Sequence, residues 1–318
     1  MILKKILIVD SVHQSLSERL NESGFTCETD KTLTYNDFLA LPDHYSGLII
    51  RSRFIIDEPL LMSKRNLKFV VRIGSGVENI DTAACKRLGI ECLSTPEGNA
   101  PAVAEHALAL LFSALKHITS ADSEVRNGTW ERVLNKSREL SSMTVGIIGY
   151  GHTGPAFAKL LHGLGCNVLA YDKFKTDIED GYTTETPLEK LLETSDVISL
   201  HINYLPENHY FINKEKLSLN KKKAIFINTS RGLAVNTDEL LDALDEGILS
   251  HACLDVLEFE TSRLQIPPKE NWGTVMQRVA AHPKVTLTPH IAGQTFDADK
   301  RHADVAFEKI INLINNKL

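Results

Sequence analysis

The sequence lacks paired cysteines and long apolar runs. Its five cysteines are scattered and include no C-x-x-C pair, which argues against a disulfide framework or a cysteine-based zinc site. No apolar stretch approaches the roughly 20 residues that a membrane-spanning helix needs, and no cleavage site follows the short apolar run at the N-terminus. We therefore predict a cytoplasmic protein with reduced thiols, no membrane segment and no bound metal.

Long blocks of one charge are also missing. Lys and Arg total 35 against 41 Asp and Glu, which gives a net charge of −6 and argues against a nucleic-acid partner. Apolar residues make up 43% of the chain, so a disordered protein is excluded as well. A single core becomes inefficient at a length of 318 residues, and we expect two domains.

Short β-branched runs alternate with segments of helical periodicity, which is typical of an α/β fold with parallel sheets. The predicted strands cover residues 5–10, 47–50, 68–73, 144–149, 167–171, 197–201, 224–228, 252–256 and 285–288. The predicted helices cover residues 12–23, 57–63, 100–118, 153–164, 187–194, 237–246 and 296–318. The helix over 100–118 is apolar on most of its faces and separates two α/β units.

A glycine-rich turn directly follows the predicted strand at 144–149. It reads Gly149-Tyr150-Gly151-His152-Thr153-Gly154, a spacing that allows a tight turn, a close approach to a pyrophosphate and close helix packing. Glycine turns alone are a weak signal, but here a strand precedes and a helix follows. Asp172 ends the next strand, 18 residues after Gly154, where an acid binds the adenosine ribose and repels a 2′-phosphate. The pattern predicts NAD rather than NADP.

Three later strand ends carry polar residues, at the edge where open parallel sheets place their ligands. Arg231 follows the first of these strands, Glu260 the second and His290 the third. Singly, each has an ordinary interpretation: a surface ion pair, a loop carboxylate, or a histidine without a chemical role.

In this order after a dinucleotide loop, the segments resemble the D-2-hydroxyacid dehydrogenase family. Two further segments are similar to that family: residues 72–81, which contain Gly74-Ser75-Gly76, and residues 99–106, which read Asn-Ala-Pro-Ala-Val-Ala-Glu-His. The resemblance covers nearly the whole chain and implies two Rossmann-like domains with parallel sheets. A flavodoxin-like substrate domain would comprise residues 1–98 and be completed by 291–318, and an NAD-binding Rossmann domain would comprise 99–290.

The resemblance also implies roles in an NAD-dependent oxidation of a 2-hydroxy acid, or reduction of a 2-keto acid. Arg231 would hold the substrate carboxylate and carbonyl oxygen. His290 would be the general acid and base, and Glu260 would orient its ring and stabilise its protonated form. Glu258 lies close by in sequence, and the family's proline after the glutamate is replaced by Thr261, so either glutamate could pair with His290.

Carried over motif by motif, the resemblance predicts contacts to cofactor and substrate. The predicted cofactor-binding residues are Gly149, Tyr150, Gly151, His152, Thr153, Gly154, Asp172, His201, Thr229, Ser230, Asp255 and Gly293. The predicted substrate-binding residues are Arg51, Ser52, Arg72, Ser75 and Gly76.

The arginines near the first predicted strands bear on which 2-hydroxy acid would be the substrate. Arg51-Ser52-Arg53 together with Arg72 is similar to the members of the family that oxidise 3-phosphoglycerate in serine biosynthesis, since arginine recognises phosphate well. The alternatives are that Arg51 and Arg53 pair with acids or face solvent. The chain would then be a glyoxylate or hydroxypyruvate reductase. A different class, a non-catalytic, NAD-sensing corepressor, is a further alternative that does not depend on the arginines. Only 28 residues follow His290, so we expect no appended effector-binding domain.

Assembly is predicted from apolar surface. The helix over 100–118 and the segment 127–134, which contains Trp130, are too apolar for an exposed linker, and similar segments in the family form a twofold contact. We expect a homodimer; burial within one subunit is the alternative.

Overall fold

The structure, a computed structural model, describes residues 4–261 and 264–317. Residues 1–3 and 318, which the predicted domains and the predicted last helix include, lie outside the described residues. The chain divides into two compact units, Met1–Ala100 with Gln294–Leu318 and Pro101–Gly293. The sequence prediction placed the two boundaries between the domains at residues 98/99 and 290/291.

Strands and helices alternate along most of the described chain. The strands are β1 (Lys4–Ile8), β2 (Phe25–Thr29), β3 (Tyr45–Ile50), β4 (Phe69–Arg72), β5 (Glu91–Ser94), β6 (Thr144–Ile148), β7 (Asn167–Tyr171), β8 (Thr184–Glu185), β9 (Val197–Leu200), β10 (Ile225–Asn228), β11 (His251–Leu254) and β12 (Val285–Leu287). The helices are α1 (Ser15–Glu22), α2 (Tyr35–Ala40), α3 (Glu58–Met62), α4 (Thr82–Leu88), α5 (Pro96–Leu115), α6 (Ile118–Arg126), α7 (Thr153–Gly163), α8 (Leu188–Thr194), α9 (Lys214–Leu217), α10 (Thr237–Asp245), α11 (Thr274–Ala281) and α12 (Phe296–Lys317).

The first unit contains a parallel sheet in the order β2-β1-β3-β4-β5, which is the flavodoxin-like order. One face packs on α1 and α12, where Leu16, Leu20 and Ile310 are fully buried against the strands. The other face packs on α2, α3 and α4. Local signals set the helix ends. Asp81 caps α4 by accepting the Ala84 N–H at 2.8 Å, and Gly89 ends it in the left-handed region.

The second unit contains a parallel sheet in the order β12-β11-β10-β9-β6-β7-β8. Read from β8, this is the Rossmann order with one further strand at the end, and the strand order reverses between β6 and β9. The inner strands β6, β9, β10 and β11 are buried on both faces, as their continuous apolar runs require. The predicted α/β class with two parallel sheets is confirmed.

Three strands escaped the sequence prediction: β2, β5 and β8. The strands β2 and β5 lie at the edges of the first sheet and carry polar residues that interrupt an apolar run, such as Glu28 in β2 and Glu91 in β5. The strand β8 has only two residues, both exposed, and lies at an edge of the second sheet. The helix predicted over 100–118 begins at Pro96 and ends at Leu115. Pro101 therefore lies inside this helix, where it removes one backbone hydrogen bond.

The apolar segments that suggested a dimer differ in their surroundings. Helix α5 packs within the second unit, where Ala104, Ala107 and Leu111 are fully buried. Trp130, Val133 and Leu134 are instead 75%, 81% and 79% exposed. The segment after α6 thus carries apolar surface that its own subunit leaves uncovered.

Membrane, metal and disulfide features were searched in residues 4–261 and 264–317. Within these ranges no helix is long and apolar enough to cross a membrane. The same ranges contain no group of three or more His, Cys, Asp and Glu side chains that could hold a metal ion. The five cysteines are free thiols.

Candidate active site

The polar residues after β11 and β12 show which glutamate contacts His290, a choice that the sequence left open between Glu258 and Glu260. His290 Nδ1 lies 2.6 Å from Glu260 Oε2, and Glu260 Oε1 accepts the Leu257 N–H at 2.7 Å. Glu258 is engaged elsewhere, accepting the Tyr210 hydroxyl at 2.6 Å and the Thr237 N–H at 3.0 Å. Of the two glutamates, Glu260 is therefore the one that contacts the histidine.

The backbone around His290 is held in an uncommon conformation. His290 has a φ of 54°, in the left-handed region that non-glycine residues rarely adopt. Its N–H donates to the carbonyl of Asp255 at 2.8 Å, and the Asp255 carboxylate accepts the N–H groups of Ile291 and Ala292, each at 2.9 Å. A buried carboxylate on the neighbouring strand end thus fixes the turn that carries the histidine.

Asp255 is itself anchored from two directions. The Thr288 hydroxyl donates to Asp255 Oδ1 at 2.6 Å, and His106 Nε2, on α5, lies 3.0 Å from the Thr288 Oγ1. Burial would raise the pKa of the Asp255 carboxyl, but the hydrogen bonds from His106, Thr288 and the two N–H groups outweigh it and lower that pKa. Asp255 therefore stays ionised and supports the turn.

Arg231 follows β10, the next strand of the same sheet. Its Nη1 donates to the Ser230 carbonyl at 2.8 Å, and Asn228 Nδ2 donates to the Arg231 carbonyl at 3.0 Å. A Cβ on Gly232 would lie 2.0 Å from the Leu257 carbonyl carbon, so the Arg231 segment packs directly on the loop that leads to Glu260. The three predicted catalytic residues thus follow three adjacent strands of one sheet.

The glycine loop after β6 has the geometry that a pyrophosphate requires. Gly149 has a φ of 95°, and a Cβ on Gly154 would lie 2.4 Å from the Gly149 carbonyl oxygen. At Gly151, by contrast, a Cβ would meet no described atom within 4 Å, which leaves open space in front of the loop. Helix α7 begins at Thr153 and directs its N-terminal N–H groups toward this loop.

Two predicted cofactor residues support the loop with their buried side chains. The Tyr150 hydroxyl hydrogen-bonds Asp180, and burial, followed by this bond, raises the pKa of Tyr150. His201 Nε2 lies 2.8 Å from Ser199 Oγ and its Nδ1 lies 3.2 Å from Thr153 Oγ1. Burial lowers the pKa of His201 to about 4, so the ring is neutral at physiological pH.

The remaining predicted cofactor residues lie along the same edge. Asp172 accepts the Tyr150 N–H at 2.6 Å and the Phe174 N–H at 2.8 Å, which ties the glycine loop to the end of β7. The Thr229 hydroxyl is buried and has no hydrogen-bond partner within the described residues, as expected of a group that binds a ligand. Ser230 bonds Asn228, His152 is exposed, and Gly293 lies in the turn after His290. This set fits a dinucleotide.

The predicted substrate residues of the first unit lie at the carboxyl edge of its own sheet. Gly74 has a φ of 139°, and a Cβ there would overlap the Arg72 guanidinium, which packs over it. The Gly74 N–H donates to Thr95 Oγ1 at 2.9 Å, and the Ser75 hydroxyl donates to Asn99 at 2.9 Å. The loop containing Ser75 and Gly76 is thereby held between β4 and the start of α5.

The arginine cluster is paired with acids. Arg51 Nη2 lies 3.0 Å from Asp299 Oδ1, and Arg53 Nε lies 3.3 Å from Asp10 Oδ1. The other Asp10 oxygen accepts the N–H groups of Arg51, Ser52 and Arg53 at 2.6, 3.0 and 3.1 Å. The alternative in which these arginines pair with acids is therefore the one that the structure contains.

Sequence reasoning assigned no role to several residues that hold these edges together. Asp10 lies two residues after the end of β1, and a carboxylate just beyond a parallel strand was a usable signal. His106 lies in the segment that resembles the family, but its contact with Thr288 spans 182 residues. His302 bonds Thr95 at 2.8 Å across 207 residues, and no local pattern predicts that pairing.

Comparison with known proteins defines the family. The family model described as D-isomer specific 2-hydroxyacid dehydrogenase, NAD binding domain, matches residues 108–292. The chain belongs to the D-isomer-specific 2-hydroxyacid dehydrogenase family, and residues 108–292 form its NAD-binding domain.

Individual relatives carry different substrate names. The chain is 32% identical over 284 residues to a hydroxypyruvate reductase of Thermotoga maritima, covering 89% of each protein. It is 31% identical over 311 residues to a D-3-phosphoglycerate dehydrogenase of Archaeoglobus fulgidus, covering 97% of this chain but only 57% of the length of that relative. Its fold is similar to the crystal structure of the D-lactate dehydrogenase of Aquifex aeolicus complexed with NAD and lactic acid, with a TM-score of 0.81, 27% identity and coverage of 98% and 96%.

Proposed function

We propose that this chain is an NAD-dependent oxidoreductase that interconverts a small 2-hydroxy acid and the corresponding 2-keto acid. The observation that carries the proposal is the 2.6 Å contact between His290 Nδ1 and Glu260 on the sheet that also bears the glycine loop. A histidine that is oriented by a carboxylate and lies at a ligand-binding edge is suited to proton transfer. The identity of about 30% to named dehydrogenases supports the same reaction class.

The proposed reaction assigns each group one step. In reduction, His290 donates a proton to the carbonyl oxygen of the keto acid, and in oxidation it takes the proton of the hydroxyl group. Glu260 accepts a hydrogen bond from Nδ1, which fixes the tautomer and leaves Nε2 for the reacting oxygen. Arg231 binds the substrate carboxylate through its fork of N–H donors.

The cofactor supplies the other half of the chemistry. Bound NADH provides the hydride that carbon 2 of the keto acid receives, and NAD takes that hydride in the opposite direction. The N–H groups of the glycine loop and of α7 would hold the pyrophosphate, Asp172 the adenosine ribose, and Thr229 a polar group of the dinucleotide. The open space at Gly151 and the unpartnered Thr229 hydroxyl support this arrangement.

The test is consumption of NADH with a panel of keto acids: glyoxylate, hydroxypyruvate, 3-phosphohydroxypyruvate and pyruvate. We expect turnover by the wild type and a loss of about 10²- to 10⁴-fold in kcat for His290→Asn, because the proton donor is removed. NADH binding, followed by fluorescence, should persist in this variant. The control is His282→Asn, since His282 pairs with Asp245 away from this edge.

One alternative is a non-catalytic, NAD-sensing corepressor. Binding of NADH without turnover of any keto acid by the wild type would favour it and contradict the enzyme. The coexistence of Arg231, Glu260 and His290 after three adjacent strands supports the enzyme, because a sensor needs no proton donor.

Two substrate classes remain as proposals. The cluster of Arg51, Arg53 and Arg72 supports 3-phosphoglycerate and its keto acid, and with it a place in serine biosynthesis. The second class is an unphosphorylated acid, as for a hydroxypyruvate or glyoxylate reductase. The specific observation in its favour is that Arg51 and Arg53 are both neutralised by aspartates.

We also propose a cytoplasmic homodimer. The exposure of Trp130, Val133 and Leu134 supports association, because apolar side chains grouped on one segment commonly mark an interface. Light scattering on the wild type and on Trp130→Glu tests it: a dimer that becomes a monomer supports this surface, and a wild-type monomer contradicts it.

A further inference from the structure

Four charged side chains, which we call the edge quartet, meet where β1 and β3 of the first sheet end. The quartet consists of Asp10, Arg51, Arg53 and Asp299. Two arginines face two aspartates, so its net charge is zero. The quartet lies at the carboxyl edge of a parallel sheet, where such sheets bind their ligands.

The pair of Arg53 and Asp10 is the fixed half of the quartet. Asp10 is buried, with 11% of its side chain exposed, and accepts three consecutive backbone N–H groups besides its contact with Arg53. Releasing this carboxylate would leave those N–H groups without an acceptor. The charge of Arg53 is therefore committed to a partner that holds the turn in shape.

The pair of Arg51 and Asp299 is the adjustable half. Asp299 lies in the first turn of α12, 248 residues from Arg51, and its side chain is 43% exposed. A solvated carboxylate in a first turn can rotate into water at little cost, and the helix dipole favours its charge there. Asp299 can therefore hold Arg51 or leave it.

Arg51 also lies close to the loop that contains the predicted substrate residues Ser75 and Gly76. On that loop, Asn79 Nδ2 donates to the Arg51 carbonyl at 3.3 Å. Besides burial, the positive charges of Arg51 and Arg72 lower the pKa of His302, which drops to about 4. His302 bonds Thr95, and Thr95 accepts the Gly74 N–H. A substrate bound at Ser75 and Gly76 would thus lie on a loop that contacts the segment carrying Arg51.

We propose that Asp299 is a specificity-determining residue that selects unphosphorylated 2-keto acids by occupying Arg51. A phosphate group would have to displace Asp299 from Arg51 and would then face that carboxylate, whereas a hydroxymethyl or hydrogen substituent needs no arginine. This inference rests on the proposed dehydrogenase function, since it names the substrate class for that reaction.

The test compares substrate preference before and after the Asp299→Asn substitution. We measure kcat/KM with NADH for 3-phosphohydroxypyruvate and for hydroxypyruvate, and we take their ratio. We expect the ratio to rise about tenfold, because the amide removes the competing charge but keeps the shape. The gain should disappear in the double variant Arg51→Ala/Asp299→Asn, since it depends on the released guanidinium.

The matched control is Asp304→Asn. Asp304 lies on the same helix and pairs with Arg19 at 2.7 Å, with a side chain that is 40% exposed. The substitution Asp304→Asn removes the same charge from a side chain of similar exposure. A general change in the electrostatic field of the protein would therefore shift the kcat/KM ratio of both variants alike. We expect the ratio of Asp304→Asn to stay within about twofold of the wild type.

A binding measurement separates this proposal from the dehydrogenase proposal. Calorimetry with 3-phosphoglycerate and with glycerate, both in the presence of NAD, needs no turnover. Tighter binding of 3-phosphoglycerate by Asp299→Asn than by the wild type supports the inference even if no keto acid is reduced, an outcome that contradicts the dehydrogenase alone. An unchanged kcat/KM ratio together with unchanged 3-phosphoglycerate binding overturns the role of Asp299.

Discussion

At the carboxyl edge of the second sheet, ionisable groups form a connected network, whereas at the edge of the first sheet they form separate ion pairs. His290, Glu260 and Asp255 are joined through hydrogen bonds to one turn, and that turn includes a backbone conformation that only such support maintains. Arg51 and Asp299 meet through one contact between partly exposed side chains. The difference separates an edge whose geometry is fixed by several hydrogen bonds from an edge with a partly exposed ion pair that can rearrange.

The largest effect should follow from breaking the network of the second edge. We expect Glu260→Gln to lower kcat by about 10²- to 10³-fold, because the imidazole loses the carboxylate that orients it. The loss should be similar for every keto acid that the wild type reduces. Steady-state kinetics with two substrates measures this.

Glu258→Gln is the matched control for that change. Glu258 bonds Tyr210 and Thr237 instead of His290, so its amide should leave kcat within about threefold of the wild type. A larger loss for Glu258→Gln than for Glu260→Gln would mean that the wrong glutamate has been assigned to the histidine.

The next effect contrasts the two aspartates of the edge quartet. Asp10→Ala should lower the free energy of unfolding by about 3 kcal/mol, because three backbone N–H groups lose a buried acceptor and Arg53 loses its ion-pair partner. Asp299→Asn should cost less than about 1 kcal/mol, as expected for an exposed pair. Urea unfolding of both variants measures this, and equal costs would contradict the division into a fixed and an adjustable half.

A smaller effect concerns the glycine loop. Gly154→Ala should destabilise the protein by about 2 kcal/mol and weaken NADH binding, because the new Cβ would meet the Gly149 carbonyl. Gly163→Ala, in the same helix, meets no described atom within 4 Å and should be neutral or stabilising by up to about 1 kcal/mol. Thermal unfolding with and without NADH separates the two, and loss of NADH binding in both variants would exclude a local effect of the loop.

An effect of similar size is a pH dependence of stability that both edges share. Burial lowers the pKa of His201 to about 4, and burial together with Arg51 and Arg72 does the same to His302. The unfolded chain takes up protons below a pH of about 6.5, so each ring stabilises the fold fully above that value and progressively less as the pH falls toward 4. We expect each to account for about 2 kcal/mol of the stability lost between pH 7 and pH 5.

The matching variants are His201→Gln in the second unit and His302→Gln in the first. Each should flatten the dependence of the unfolding free energy on pH between 7 and 5, measured by urea titration at both values. An unchanged slope in either buried variant would show that its ring is protonated in the folded protein.

Sequence alone predicted the parts of this protein that depend on local pattern. Apolar runs and helical periodicity predicted both parallel sheets, and the spacing of Gly149, Gly151 and Gly154 predicted the loop that the structure contains. The edge strands β2 and β5 were missed because polar residues break their apolar runs. The proposed roles of the site residues stay predictions.

What sequence could not supply is pairing over long separations. The sequence predicts Arg51 as a phosphate ligand, but the fold places Asp299, 248 residues away, beside it. Glu258 and Glu260 are equivalent by composition, and only the path of the loop after β11 directs one of them to His290. In both cases the sequence shows which residues are charged, but it does not show which of them pair in the folded protein.

The order of strands in the second sheet has a consequence for which functional groups of such a protein can evolve independently. The three groups proposed for proton transfer and carboxylate binding follow β10, β11 and β12, which are adjacent, while the glycine loop and Asp172 follow β6 and β7 beyond β9. Residues 144–172 and residues 225–293 are therefore separate stretches of chain. Under the proposed roles, a substitution at Asp172 can alter the preferred dinucleotide without touching the proton-transfer groups carried by the second stretch.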